Sequence, residues 1–480
     1  MPVSKFADPA LLRRLEAVGQ QHLLRFYDQL GPQSRERLVR QIQGLDLEAL
    51  PRLVQDYVKH KPAAKLPPDL EPAPYYPNDP TSRVRRWDRA GFKAAGEKLL
   101  RAGKVAAFTV AGGQGSRLGF EGPKGCYPGG AVSQKPLFTI FAEGLRAARA
   151  KFGAPVPWYI MTSPLNHDAT VSFFEQNEYL GLGRDFVTFF PQGVMPSFDI
   201  SSGKVLLAGK DEPATNPDGH GGSLRALHAS GALDDMRRRG VEHISYFQVD
   251  NPIVRVVDPV FLGLHATAPD SSAEMSSKMI PKAGAEEKVG VFCASGGRIE
   301  VIEYSDLPRE LANQRGPGGG LRFLAGSIAV HALSVEFVSR LSTDSGFSLP
   351  YHRAEKKVPC VDLDSGELIN PPSPNAVKLE RFVFDALPLC RASVVYETDR
   401  VEEFAPIKNA TGVDSVESSR RIQTLRAARW LEAHGVSIPR DAAGDPDCVL
   451  EIGPLTACES DDLDHTPLPQ SIRPGEKLAL

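Results

Sequence analysis

The residues best suited to chemistry follow a short apolar run at 105–110. They read Ala111-Gly112-Gly113-Gln114-Gly115-Ser116-Arg117-Leu118-Gly119-Phe120-Glu121-Gly122-Pro123-Lys124. Closely spaced glycines let a backbone approach a ligand, and their N–H groups can face phosphate oxygens. Arg117 brings a fixed fork for those oxygens, and Lys124 a mobile point charge. The dinucleotide fingerprint is absent, because Gly113-x-Gly115 is followed by Gly119, one residue late, which argues against a dehydrogenase. No Gly-Lys-Ser/Thr occurs, so the P-loop pattern is absent too. Two readings remain: a polyphosphate cradle, or a tight turn with two solvated cations.

Three later positions carry similar potential. Asp250 ends the apolar run Ser245-Tyr246-Phe247-Gln248-Val249. A carboxylate there can hold Mg²⁺, or another divalent cation such as Mn²⁺, when phosphates and waters supply the remaining ligands; it can equally cap a turn. Gln192, in Phe190-Pro191-Gln192-Gly193, donates and accepts through one amide, as reading a base edge requires. Gly219-His220-Gly221-Gly222 precedes an apolar helical series, and a helix N-terminus favours anions. A lone histidine there can contact a ligand or simply pack in the loop.

These residues need a scaffold. The apolar runs near 105–110, 157–163, 186–193 and 243–251 read as buried strands, and 136–151, 164–178 and 222–239 between them as helices. Pro136 and Pro164 suit first-turn positions and Ser163 suits a cap. Alternation of this kind predicts an α/β fold with a mostly parallel sheet, whose ligands bind at the carboxyl ends of the strands. The glycine loop, Gln192 and Asp250 lie at the ends of such runs, and Gly219–Gly222 precedes a helix. Residues 8–58 read as helices opened by Asp8-Pro9. Seven prolines between 62 and 80 predict a stiff extended connector without packing. Asp414 and Glu417 begin a later helix that Gly435 ends. The expected domains are a helical N-terminal segment with connector (1–80), a catalytic core (81–385) and a small mixed C-terminal domain (386–480).

Composition narrows the class. The 480 residues carry 56 Lys+Arg and 59 Asp+Glu, a net charge of −3, so binding of nucleic acid by bulk positive charge is excluded. No apolar stretch is long enough to span a bilayer, and the first residues lack a secretory pattern, so no membrane partner is expected and a cytoplasmic location is. Six scattered cysteines form no CxxC pair and read as free thiols.

The run AGGQGSRLGFEGPKGCYP, followed by SQKPLFTIFAE, resembles the signature of eukaryotic-type UDP-N-acetylhexosamine pyrophosphorylases. PWYIMTS, FFPQG, NPDGHGG, VDNPIVRVVDP, VIEYSDL, FLAGSIA, LERFVFD and EFAPIKN resemble further segments of that family in the same order. The resemblance implies a Rossmann-like uridylyltransferase core that converts UTP and a sugar 1-phosphate into a UDP-sugar and pyrophosphate. A sugar phosphate is largely a dianion near neutrality, with a second pKa of about 6, so no general base is needed. Neutralising charge for in-line attack is the task.

The resemblance assigns residues accordingly. Arg117 and Lys124 act as electrostatic catalysts, and Ala111, Gly112, Gly113, Lys124, Gln192 and Gly219 bind the nucleotide. His220, Asp250, Glu303, Tyr304, Ser327 and Lys408 serve sugar and phosphate, with Asp250 as metal ligand. Phe382, Phe384 and Lys378 match family positions with less weight. Two positions depart from the family: His220 stands where Asn is usual, as in UDP-glucose enzymes, and Ser327 also replaces Asn. N-acetylglucosamine 1-phosphate is therefore the expected substrate, with glucose 1-phosphate or a broad sugar range as the rival. A UDP-sugar sensor without turnover is the rival of another class.

Overall fold

The runs read as buried strands form a parallel layer in the computed structural model, which describes residues 8–62, 66–343 and 348–480. Strands β1 (Val105–Val110), β2 (Trp158–Thr162), β3 (Val187–Pro191) and β4 (His243–Gln248) lie in the order β4-β1-β2-β3, all parallel. Helices α1 (Arg89–Arg101), α2 (Leu137–Phe152), α3 (His167–Gln176) and α4 (Pro259–Thr267) pack with this layer. Val105, Ala107, Trp158, Ile160 and Phe247 share one apolar core with Leu137, Phe138, Phe141 and Leu145 of α2. On the other face the Tyr159 hydroxyl donates to Asp235 at 2.7 Å, from the helix Ala232–Arg238. Burial on both faces explains why these strands read as continuous apolar runs.

The rest of the sheet pairs mainly antiparallel. Strands β5 (Met275–Pro281), β6 (Val291–Ser295), β7 (Arg298–Ile302), β8 (Ala325–Ser334) and β9 (Val395–Glu397) extend it. β8 runs antiparallel to β4, β5 and β6, β7 antiparallel to β6, and β9 parallel to β5. The expected α/β Rossmann-like core is present. Helices α1 and α4 touch backbone to backbone: a Cβ on Gly96 would sit 1.9 Å from the Pro259 carbonyl oxygen, and one on Gly263 1.8 Å from that of Phe92. Only glycine permits this approach.

Some local expectations change. The proline-rich connector is extended, but it is packed: Glu71–Pro72 pairs with β6 and Tyr76 is buried. Extended backbone lacking helix signals suits a sheet edge. Helix α3 begins at His167, not Pro164, because the Asn166 side-chain Oδ1 accepts from Ser163 N–H at 2.8 Å and closes a turn first. The stretch 222–239 is two helices, interrupted at Gly231, whose φ is +77°. Helix α5 (Val416–Ala433) is capped by Ser415, whose side chain accepts from Ser418 N–H, and not by Asp414.

The chain divides into two compact units. The first joins Met1–Leu66, Gln192–Gly222 and Ser348–Val383; the second joins Pro67–Pro191, Ser223–Phe347 and Phe384–Leu480. In the first unit, Asp8 caps the helix Pro9–Ala17 by accepting from the N–H groups of Ala10 and Leu11. Leu11, Leu15, Leu38 and Ile42 then bury against Phe198, Val205, Val377 and Leu379. The N-terminal helices thus complete the core of a three-stranded sheet formed by Phe198–Asp199, His352–Lys356 and Ala376–Glu380. In the second unit, α5 packs on the strand Val449–Glu451 around Trp430, Leu431, Leu450 and Ile452. Residues 1–7 of the N-terminal segment and 63–65 of the connector lie outside the described residues. Among the described residues no helix is long and apolar enough to cross a membrane. All six cysteines are free.

Candidate active site

Strand β1 ends in the glycine loop, which folds back on itself. Gly115 N–H donates to the Gly122 carbonyl and Lys124 N–H to that of Gly113, each at 3.0 Å. The loop is tied to the next βα connection by Asn166. Its Nδ2 donates to the carbonyls of Ala111 at 2.9 Å and Gly113 at 3.2 Å. Those bonds occupy the carbonyls of Ala111, Gly113 and Gly122. Arg117 stands exposed on the turn Ser116–Leu118, with no hydrogen bond or ion pair among the described residues. An unpartnered guanidinium beside a Gly-rich strand end is available to an anion.

At the end of β4, Asp250 is held by its backbone, whose carbonyl accepts from Ile407 N–H at 2.8 Å. Lys124 Nζ lies 3.8 Å from Asp250 Oδ2, and both side chains are largely buried. Lys408 pairs with Asp414 at 3.1 Å. Burial opposes the charge on Lys408, but Asp250, Asp414 and Glu287 outweigh it and hold its pKa above the ordinary lysine value. A cation–acid–cation group thus stands beside the loop's last residue.

Asp250, Glu303, Ser327, Phe384 and Lys408 line one cavity of about 170 Å³. Tyr304 is 47 % exposed and is not part of that wall. Asn251 and Lys288 are part of it, although the sequence reading assigned them no role. Asn251 stood inside the quoted VDNP segment and was legible there; Lys288 carried no motif. Asn166 was missed as well, and its only signal was its place in the loop after β2.

Gln192, Gly219 and His220 belong to the first unit. Gln192 is buried. Gly219 has φ +84°, and a Cβ there would meet the Arg381 carbonyl oxygen at 2.3 Å, so the loop closes only with glycine. His220 stacks on Phe382 at 5.0 Å, and Phe382 stacks on His352 at 4.2 Å. Burial, aided by His352, pushes the His220 pKa down to about 4. The ring is therefore neutral near pH 7. Its Nδ1 accepts from Val383 N–H at 3.1 Å, which leaves the proton on Nε2 as a donor.

The donor set can be tested against a divalent cation. Among the described residues no three His, Cys, Asp or Glu side chains gather at one point. A single carboxylate with lysines beside it suits a cation that arrives on phosphates and keeps its waters, rather than a resident structural ion.

Similarity to known proteins agrees with this arrangement. A UDP-N-acetylhexosamine pyrophosphorylase-like protein of Xenopus tropicalis is 37 % identical over 475 residues, spanning 93 % of this chain and 91 % of that one. UDP-N-acetylglucosamine diphosphorylase 2 of Arabidopsis thaliana is 35 % identical over 488 residues, spanning 96 % and 93 %. The crystal structure of the UDP-N-acetylglucosamine pyrophosphorylase of Trypanosoma brucei superposes with a TM-score of 0.80 at 25 % identity, covering 98 % of this chain and 99 % of that one. The family profile described as UTP–glucose-1-phosphate uridylyltransferase matches residues 78–427. With a match over most of its length, and the glycine loop and Asp250 inside it, the chain belongs to this family of nucleotidyltransferases.

Proposed function

We propose that the chain makes UDP-N-acetylglucosamine and pyrophosphate from UTP and N-acetylglucosamine 1-phosphate. The observation that carries this reading is the group Lys124–Asp250–Lys408 beside the glycine loop. In it, Arg117 and the loop N–H groups grip the triphosphate, and Lys124 balances charge that moves onto departing pyrophosphate. Lys408 holds the sugar phosphate, already a dianion, in line with the α-phosphorus. Asp250 would hold Mg²⁺, or Mn²⁺, which supplies further positive charge to the phosphate oxygens. Gln192 and Gly219 serve the uridine, and Glu303 with Tyr304 the sugar. His220 contacts sugar or phosphate.

One observation favours a second sugar. Ser327 lines the cavity and offers a single hydroxyl where a longer amide is usual, which leaves space for sugars other than N-acetylglucosamine. A cytoplasmic site of action is supported by the six free thiols.

The test is turnover of Arg117→Met and Lys124→Met, read as pyrophosphate release. Each change removes a transition-state donor and is expected to lower kcat by about 10²–10³-fold, with an unchanged circular dichroism spectrum. Near-normal kcat in both variants would remove these residues from the mechanism. Wild-type protein that binds UDP-sugar without releasing pyrophosphate would make the chain a sensor instead.

A further inference from the structure

Behind the Asp250 loop, still within the second unit, lies another cavity, of about 430 Å³. Helix α2 supplies Phe141, Gly144 and Ala147, the chain at 252–257 supplies a second wall, and residues 454–459 a third. Most of the lining is apolar, but Arg255 and Arg426 enter it, as do Lys151, Glu459 and Asp462, which pair with one another. Arg426 lies over the Trp430 ring at 4.7 Å, and its hydrogen-bond acceptor is the Ile253 carbonyl at a long 3.4 Å. The Arg255 guanidinium donates no hydrogen bond and forms no ion pair among the described residues. Its charge is balanced by Asp258 and Glu403, the acids that also hold Lys278. Burial, with Arg255 adding to it against Glu402, pushes the Arg426 pKa down to about 10. Arg426, a cation with weak protein partners, therefore faces an apolar space the size of a small-ligand pocket.

The same chain segment serves both cavities. Val254 lines this one and also the smaller one that contains Asp250, Glu303 and Ser327. An occupant of the rear cavity touches the segment that positions the front one.

We propose that the rear cavity is a regulatory site for a small amphipathic organic anion, a carboxylate, phosphate or sulfonate on an apolar body, and that its occupancy changes sugar-phosphate binding through Val254. The binding half stands alone; the coupling half rests on the function proposed above.

The probe is 8-anilinonaphthalene-1-sulfonate, titrated by fluorescence into the full chain. One molecule per chain is expected to bind. Ala147→Trp fills the cavity, and Arg426→Met removes one cation; each is expected to weaken binding at least tenfold. N-phenyl-1-naphthylamine, with the same rings and no sulfonate, is expected to bind at least tenfold more weakly. Equal affinity in both variants, or for the neutral amine, overturns the site. For coupling, saturating probe is expected to change the KM for N-acetylglucosamine 1-phosphate at least threefold in wild type and not in Ala147→Trp. No change, or the same change in both, overturns the coupling. The fluorescence titration needs no turnover, so failure of the site and failure of the proposed reaction are read separately.

Discussion

Lys278→Met would break the most deeply buried ion group of the second unit. Lys278 Nζ lies 2.7 Å from Asp258 and 2.5 and 2.7 Å from the two oxygens of Glu403, and none of the three side chains is more than 4 % exposed. Removing one partner leaves two carboxylates buried with Arg255 as the nearest remaining cation, which costs about 3–5 kcal/mol. A unit of about 350 residues melts with an entropy of roughly 0.7 kcal/mol per kelvin, so the midpoint should fall by about 4–7 °C. The effect should also reach the active site. The Glu403 carbonyl accepts from Asn251 Nδ2 at 2.6 Å, and Asn251 Oδ1 accepts from Ala405 N–H at 3.1 Å. These bonds set the Asp250–Asn251 turn against the segment 403–408 that leads to Lys408. Scanning calorimetry gives the midpoint, and pyrophosphate release gives the KM for sugar phosphate, which should rise. Adding Glu403→Gln neutralises one orphaned carboxylate and should restore part of the lost stability. A midpoint within 1 °C of wild type for Lys278→Met would refute the reasoning.

Asn166→Ala removes two hydrogen bonds to the glycine loop and one from Ser163, each worth about 1 kcal/mol. The KM for UTP should rise about tenfold or more, and an unchanged KM would deny that Asn166 anchors the loop. Stability should decline as pH falls below about 6.5. His220, His243 and His265 are held below the ordinary histidine pKa, chiefly by burial, with His352 acting on His220, Lys104 outweighed by Glu242 at His243, and His243 acting on His265. The unfolded chain then binds more protons than the native one, so stability is full above the unfolded pKa and drains as pH falls toward the folded values. Melting midpoints from pH 7.5 to 4.5 should drop steadily; a flat series would contradict the neutral assignments.

The parallel layer was legible because burial on both faces leaves an unmistakable apolar run, as in β1 and β2. The glycine loop and Asp250 were legible because they sit where such strands end. What sequence could not show is assembly at a distance. The first unit joins an N-terminal stretch to two segments far along the chain, and a division by consecutive residues cannot express that. The N-terminal helices gain their reason only when Leu11 and Leu38 are seen against Phe198 and Val377. Antiparallel β8 was hidden for a similar cause, since its partners β4, β5 and β6 are set by pairing and not by pattern. Asn166 was hidden because its role is a hydrogen bond to carbonyls more than fifty residues earlier. The charge state of His220 depends on two aromatic neighbours that its own loop does not contain.

The central claim is tested most directly by competition in one vessel. The protein is given UTP, Mg²⁺ and equal amounts of N-acetylglucosamine 1-phosphate and glucose 1-phosphate, and the UDP-sugars are resolved by mass at early times. UDP-N-acetylglucosamine is expected as the main product, formed in step with pyrophosphate. UDP-glucose as the main product, or no UDP-sugar at all, would contradict the account.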